Sequence, residues 1–367
     1  MARKSSVENL DVTPSFWKGR RVFVTGHTGF KGAWLLLWLE CLGARVTGYA
    51  LPPSTQPNLF ELAQAGAAAR CIEADVRDAA RLAAALRASE PEIVFHLAAQ
   101  SLVRQSYADP SGTFSTNVNG TLHLLEGCRE LPTVRAIVVV TSDKCYEERQ
   151  DGQPYREYDP LGGHDPYSAS KACAEIVTLA CRRSFFDNPG AAAIASARAG
   201  NVIGGGDWAT DRLMTDLMSA FGAGRRARLR NPRATRPWQH VLDPLSGYLL
   251  LAEKLYHDGP RYAEAWNFGP AANCTADVGH VADRVKTLWG EGAGWDVDAS
   301  PQPREAPLLA LDASKAVQRL GWQPRLSLEE TLNWTVTWYR RWQKGEDPRA
   351  LVLGQIACYD ERFSRAG

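Results

Sequence analysis

Residues 20–51, RRVFVTGHTGFKGAWLLLWLECLGARVTGYAL, decide the fold. RRVFVTG is a short β-branched run, and Gly26 to Gly32 form a glycine-rich turn. AWLLLWLECLG has the length of a helix, and ARVTGYAL is a second apolar run. Strand, glycine turn, helix and strand make one βαβ unit, and the rhythm continues outward. ARCIEADV, RLAAALRASE and EIVFHLAA repeat it, and TFSTNVNGTLHLLEGCRE leads into the strand candidate RAIVVVTS. Strands alternating with helices imply an α/β fold with a mostly parallel sheet covered on both faces.

Beyond about Ala197 the regularity weakens. Three glycines at 204–206, an arginine-rich segment at 225–236 and a proline-rich segment at 301–307 interrupt short elements. The expected layout is a Rossmann-type doubly wound sheet with a smaller α/β substrate-binding domain over its C-terminal edge. Residues 1–17 read as a polar leader, poorly ordered. Residues 18–200 and 235–270 read as the dinucleotide-binding domain, 201–234 and 271–350 as the second domain, and 351–367 as a tail. LSLEETLNWTVTWYRRWQ reads as a helix introduced by Ser327 as its cap.

Composition narrows the partners. The 367 residues are 45% hydrophobic and 23% charged, with a formal charge of +1, which argues against a nucleic-acid binder or a polybasic membrane surface. Small molecules or further copies of the chain are the expected partners. The eight cysteines, at 41, 71, 128, 145, 173, 181, 274 and 358, include no C-x-x-C and no zinc-like pairing. They read as free thiols in a reducing compartment, and no metal is expected. MARKSSVENLDVTPSF has no apolar core of a signal peptide, and AWLLLWLECLGA is too short to span a bilayer. The expected location is the cytoplasm.

Gly26, Gly29 and Gly32 stand in G-x-x-G-x-x-G spacing between a strand and a helix. Glycine is required where the backbone turns tightly and where it approaches a pyrophosphate with no Cβ between them. The helix start adds amide donors and the positive end of the dipole. Gly26, Thr28, Gly29, Phe30, Lys31 and Gly32 are therefore the candidate dinucleotide loop. The second strand ends in Tyr49-Ala50-Leu51. It offers neither the acid that grips a ribose 2′-hydroxyl nor an arginine for a 2′-phosphate, and NAD is preferred over NADP. Asp75 and Val76, at the end of the third strand, are expected to meet the adenine edge.

Tyr167 and Lys171, four apart in YSASK, share one helix face. A free tyrosine titrates near ~10 and is a poor base at neutral pH. A nearby ammonium and a positive nicotinamide favour its phenolate. Y-x-x-x-K recurs by chance, but here it follows the strand IVVVTS and lies about 140 residues after the glycine loop.

At this point the chain resembles the extended short-chain dehydrogenase/reductase family over about residues 18–345, with Tyr167 and Lys171 as its catalytic pair. His96-Leu97-Ala98-Ala99-Gln100 and Thr116-Asn117-Val118-Asn119-Gly120-Thr121 match further family motifs, as does Arg198-Ala199-Gly200-Asn201-Val202-Ile203-Gly204. The resemblance places Leu97, Ala98 and Ala99 at the cofactor and Gln100 at the substrate. Thr141-Ser142-Asp143-Lys144 resembles the sugar-nucleotide 4,6-dehydratases, where a hydroxyl residue precedes an acid and a proton-transfer partner. Asp-Lys, rather than Asp-Glu, is similar to the branch acting on CDP-glucose, as are TGHTGFKGAWLLLWL and LGGHDPYSASK.

That resemblance implies oxidation at C4, loss of water across C5 and C6, and reduction at C6 through bound NAD, giving a 4-keto-6-deoxy sugar. Ser142 would position the oxygen, Asp143 act as acid and Lys144 as base or its partner. Asn201, Arg212, Arg236 and Arg304 would hold the sugar nucleotide. Of the six arginines within 225–236, most are expected to be solvated or paired. The family also implies a homodimer, with a tetramer as the alternative. A sugar-nucleotide 4-epimerase or a dehydratase for another nucleotide sugar competes with this reading, but an epimerase does not need Asp143-Lys144. A non-catalytic NAD-binding sensor would need no proton relay.

Overall fold

The structure, a computed structural model, describes residues 12–149, 151–271, 274–300 and 309–364. It opens with a short helix, α1 (Pro14–Trp17), whose Trp17 is fully buried and donates from Nε1 to Glu253 Oε1 at 2.7 Å. The polar leader expected over 1–17 is therefore shorter. Phe16 and Trp17 carry enough apolar surface to pin residues 12–17 to the body of the protein, and residues 1–11 lie outside the described residues.

The chain then alternates as the glycine-loop segment foretold. β1 (Arg21–Thr25), α2 (Phe30–Cys41), β2 (Arg45–Ala50), α3 (Leu59–Leu62), β3 (Arg70–Glu73), α4 (Ala79–Ser89) and β4 (Ile93–His96) come first. They are followed by α5 (Val103–Ala108), α6 (Pro110–Phe114), a π-helical turn at Ser115–Asn119, α7 (Gly120–Arg129), β5 (Ala136–Val140), α8 (Pro166–Phe185) and β6 (Ala193–Ala199). Thereafter come α9 (Leu213–Gly222), α10 (Leu242–Tyr262), β7 (Ala265–Phe268), α11 (Val278–Trp289), α12 (Leu328–Gln343) and α13 (Pro348–Ser364). No helix among the described residues is long and apolar enough to cross a membrane.

Seven strands pair in the order β3-β2-β1-β4-β5-β6-β7, every neighbour parallel. β4, β5 and β6 are buried at every position, because helices cover both faces of the sheet. Val22 of β1 stands opposite Val46 of β2 on one side and Ile93 of β4 on the other. The strand order reverses there, and the C-terminal strand ends part into a crevice, the place where doubly wound sheets bind ligands.

Outside the sheet, Thr235–Pro237 pairs antiparallel with Thr275–Asp277, and Ala227–Leu229 pairs parallel with Trp295–Val297. The Trp208 ring lies edge-on to Trp338, Tyr339 and Trp342, tying the segment before α9 to α12.

The tail expected from residue 351 is α13, a packed helix. α2 explains it, since Trp34 to Leu39 are all buried and leave the helix no polar face. α13 packs on α2 with Leu351, Val352, Ile356 and Tyr359 buried, and Arg349 ion-pairs with Glu40 of α2. α12 begins as expected at Ser327, in a capping box. Glu330 N donates to Ser327 Oγ at 3.3 Å, and Ser327 N donates to Glu330 Oε2 at 3.0 Å. Ser327→Ala is expected to lower stability by about 1 kcal/mol and leave ligand binding intact, as read by denaturant unfolding with an unchanged m-value.

Candidate active site

A cavity of about 610 Å³ opens at the switch point. Its floor is the glycine loop, where Gly26, Thr28, Gly29, Phe30, Lys31 and Gly32 all line the wall. Two of the glycines are forced. At Gly26 φ is +72°, and a Cβ would lie 2.6 Å from Ala98 N; at Gly32 a Cβ would lie 2.2 Å from Gly26 O. At Gly29 the same construction meets only Gly26 O, at 3.4 Å, which leaves the loop open toward the cavity. α2 starts there, and its first-turn amides have no acceptor within the helix. A backbone cradle, open above and closed below, fits a dinucleotide pyrophosphate.

Asp75, Val76, Leu97, Ala98 and Ala99 continue the wall from the ends of β3 and β4. Asp75 is not a bare carboxylate, since Arg77 Nη2 lies 2.5 Å from its Oδ2 and holds its carboxyl below the usual range. Thr25 Oγ1 lies 2.7 Å from His96 Nδ1 and accepts from Ala98 N at 3.2 Å, which fixes the β1 and β4 ends relative to each other.

The expected catalytic residues meet across the same cavity. Ser142, Asp143 and Lys144 come off the end of β5, and Tyr167 and Lys171 come from the first turns of α8. Ser142 caps a short 3-10 turn at Asp143–Cys145 and donates from Oγ to Asp143 Oδ1 at 3.1 Å. Asp143 is 3% exposed, and its Oδ2 has no hydrogen-bond partner among the described residues. Burial raises its pKa, against the pull of Lys144, Ser142, Arg236 and Lys31.

Asp165 caps α8, accepting from Ser168 N at 2.9 Å, and Pro166 follows at the first helical position. That start delivers Tyr167 to the cavity. Burial pushes its phenol up to about 12; Ser142's hydrogen bond and Arg212's charge pull it down, while Asp143 and Asp165 push it further up. Lys171 donates from Nζ to Val140 O at 3.2 Å. Burial lowers its ammonium to about 8, and the Glu175 charge is the first influence opposing that.

Lys31, from the glycine loop, lines the same cavity as these groups. Burial lowers it to about 7, with the Arg212 and Lys171 charges adding to that and Asp143 and Asp207 opposing it. Only the geometry reveals that Lys31 faces the catalytic cluster as well as the loop.

Asn201, Arg212 and Arg236 line the side of the cavity beyond the sheet. Arg212 Nη1 meets Asp207 Oδ2 at 2.7 Å, and its Nη2 donates to Ser101 Oγ at 3.1 Å. Arg236 is 5% exposed and donates to Thr235 O at 3.0 Å. Arg304 lies outside the described residues. Of the other arginines, Arg226 pairs with Asp296 and Arg230 with Asp211, while Arg228 and Arg230 also reach the cavity wall.

Gln100, expected at the substrate, is turned to the loop after β4: its amide donates to Leu102 O at 3.0 Å and Thr113 Oγ1 at 2.9 Å while its Oε1 accepts from Leu102 N at 2.6 Å. Its side chain is consumed in shaping the loop after β4. Sequence reading also missed Asp207, the partner that orients Arg212.

Residues 23–335 match the family model described as GDP-mannose 4,6 dehydratase. The chain is 50% identical over 359 residues to a CDP-glucose 4,6-dehydratase of Salmonella typhimurium, across 96% of this chain and 100% of that protein. A dTDP-glucose 4,6-dehydratase of Xanthomonas campestris is 26% identical over 88% of this chain and 94% of its own length. Among solved structures, a UDP-glucose 4-epimerase of Thermus thermophilus in complex with NAD aligns with a TM-score of 0.76 at 24% identity, covering 87% of this chain and 99% of that one. A dTDP-glucose 4,6-dehydratase of Bacillus anthracis in complex with NAD aligns at 0.73 and 22%, covering 90% and 100%. At such identities the two structures speak for the fold, which this chain shares. The family match spans most of the chain, from β1 into α12, and the chain belongs to the GDP-mannose 4,6 dehydratase family.

Proposed function

We infer that the chain is an NAD-dependent CDP-glucose 4,6-dehydratase, a hydro-lyase that forms the CDP-linked 4-keto-6-deoxy sugar. The observation that carries the reaction is Asp143. It is a buried carboxyl with a raised pKa and one unengaged oxygen, in the same cavity as Tyr167. An acid beside the oxidising residues is what elimination of water needs, and an epimerase or a sensor has no use for it. The choice of CDP-glucose rests on the 50% identical relative.

The roles follow from chemistry. Tyr167 takes the proton of the C4 hydroxyl while Ser142, which hydrogen-bonds its phenol, steadies the oxygen. Gly26–Gly32 would hold the pyrophosphate of NAD and Asp75 and Val76 would face its adenine end; when bound, the group would supply the hydride acceptor and donor that oxidation at C4 and reduction at C6 require. Lys171, held by its bond to Val140 O, brings an ammonium to the cavity it shares with Tyr167. The 4-ketone acidifies the C5 hydrogen. Lys144, or Lys144 acting with Asp143, removes it, and Asp143 protonates the departing C6 hydroxyl. Arg236 and Arg212 bring positive charge to the diphosphate, and Asn201 a neutral polar group.

Phe114, Leu122, Ile176 and Phe185 are exposed apolar residues on α6, α7 and α8. They support a homodimer through that face. The eight free cysteines fit work in the cytoplasm.

The test is incubation with CDP-glucose, TDP-glucose, GDP-mannose or UDP-glucose and catalytic NAD, following loss of one water by mass spectrometry. Water loss with CDP-glucose alone is the expected result. Turnover of another sugar nucleotide would keep the reaction and discard the substrate, and four unchanged substrates would remove the dehydratase reading.

A further inference from the structure

Glu175 sits one helical turn beyond Lys171 on α8, on the same face, and is buried. Its carboxylate is saturated by donors from β6 and from the residue that follows β5. Thr141 Oγ1 donates to Oε1 at 2.5 Å, and Ser196 Oγ and Arg198 Nη2 each donate to Oε2 at 2.7 Å. Both members of the Glu175–Arg198 pair have side chains 3% exposed. Arg198 Nη1 continues to the Tyr146 hydroxyl at 2.7 Å, and that hydroxyl donates to Asn267 Oδ1 at 2.7 Å.

The placement of these contacts matters. Thr141 immediately precedes Ser142, and Tyr146 follows Cys145, so both ends of the segment carrying Ser142, Asp143 and Lys144 are moored to one ion pair. The same carboxylate lies on the helix face that carries Lys171. A buried ion pair contributes little net stability compared with apolar packing of equal volume, so a purely structural purpose is a weak account of it.

We propose that Glu175 is a positioning residue for the catalytic centre, its carboxylate placing a buried negative charge on the face of α8 that carries Lys171 while mooring the β5 end that carries Ser142 and Asp143. The proposal rests on the role given above to Lys171. The charged and titratable groups around Lys171 come from several elements. Glu175 and Tyr167 share its helix, Cys145 faces it from the 3-10 turn, and His96 of β4 and Lys31 of α2 feel its charge. Among these, Glu175 is the largest influence favouring the ammonium, opposing burial that has already brought it down to about 8. Arg198 keeps Glu175 ionised, holding its carboxyl below the usual range despite burial.

The sign is definite. Without the Glu175 charge the Lys171 proton is lost at lower pH, so the alkaline limb of the rate profile moves toward neutrality. In the NAD-loaded enzyme, Glu175→Gln is expected to shift that limb down by about one pH unit and to lower kcat at pH 8 roughly five-fold. Glu175→Asp is expected to restore the limb, though not the full rate.

A second measurement needs no substrate. Reductive methylation of Lys171 by formaldehyde and borohydride, followed by peptide mass spectrometry across pH, reports its free amine. In Glu175→Gln the free amine is expected about one unit lower. Thr141→Val keeps the ion pair, so Glu175 stays ionised, but it removes the tie to the β5 end; it should leave the methylation profile in place and lower kcat several-fold, and an unchanged kcat overturns the mooring where the glutamine variant does not fold. A methylation profile identical in the parent and in folded Glu175→Gln overturns the proposal. Unchanged methylation shifts beside a parent that leaves CDP-glucose intact would instead count against the dehydratase reading alone.

Discussion

Asp143→Asn is expected to stop water loss, cutting its rate by about three orders of magnitude, while oxidation at C4 continues. The carboxyl is enclosed, one oxygen accepts from Ser142, and the other meets no partner among the described residues. Burial raises its pKa, so the protonated form, the one able to give a proton to a departing hydroxyl, is favoured to higher pH than for a free aspartate. Asparagine keeps the shape and can still donate a hydrogen bond, but it cannot release a proton. In a single turnover of the NAD-loaded enzyme, one equivalent of substrate should therefore stop as the 4-ketone with its hydride held as NADH, detected as a mass lower by two hydrogens rather than by one water and as absorbance in the NADH band. Stability supplies the control. A carboxyl whose folded pKa lies above its unfolded value costs stability as pH rises through that interval, so at neutral pH removal of the ionisable group should not lower Tm. A variant that loses water within a few-fold of the parent rate would exclude Asp143 as the acid.

Legibility in the sequence followed the backbone. Gly26 and Gly32 could be read because no other residue fits their positions, where a Cβ would collide with Ala98 N or Gly26 O. The strand-helix alternation could be read because a parallel sheet covered on both faces demands apolar strands such as Ala136–Val140. Side-chain direction could not. Gln100 follows the expected strand, yet its amide turns to Leu102 and Thr113, a choice set by α6 that no local pattern encodes. Lys171 lies one turn from Tyr167 as the spacing required, but its ammonium is turned to the Val140 carbonyl. Glu175 looked like any polar helix residue, because its partners come from Thr141, Ser196 and Arg198, far apart in the chain. α13 had left a trace, since a helix as apolar all round as Trp34–Leu39 must be covered, and the sequence does not say by what.

Tyr167→Phe is expected to lower the rate with CDP-glucose by about three orders of magnitude, roughly 4 kcal/mol of barrier, and to remove the pH dependence of the oxidation step. The phenol is pushed up to about 12 in the protein alone, with burial the main cause and Asp143 and Asp165 adding to it. At neutral pH it is therefore protonated until positive charge favours the phenolate. Arg212 supplies some of that charge, and the nicotinamide ring, when bound, supplies more. Lys171 donates its ammonium to Val140 O in the same cavity. The sign follows from which form acts. The phenolate is the base, its fraction grows ten-fold per pH unit below the pKa, and kcat/KM should climb with pH along an acidic limb with unit slope. Phenylalanine keeps the ring and its packing, so NAD binding and Tm should hold while both the rate and the limb disappear. A Phe variant that retained the limb would assign the titration to another group, with Lys31, lowered to about 7 and facing the same cavity, the first to examine by Lys31→Met.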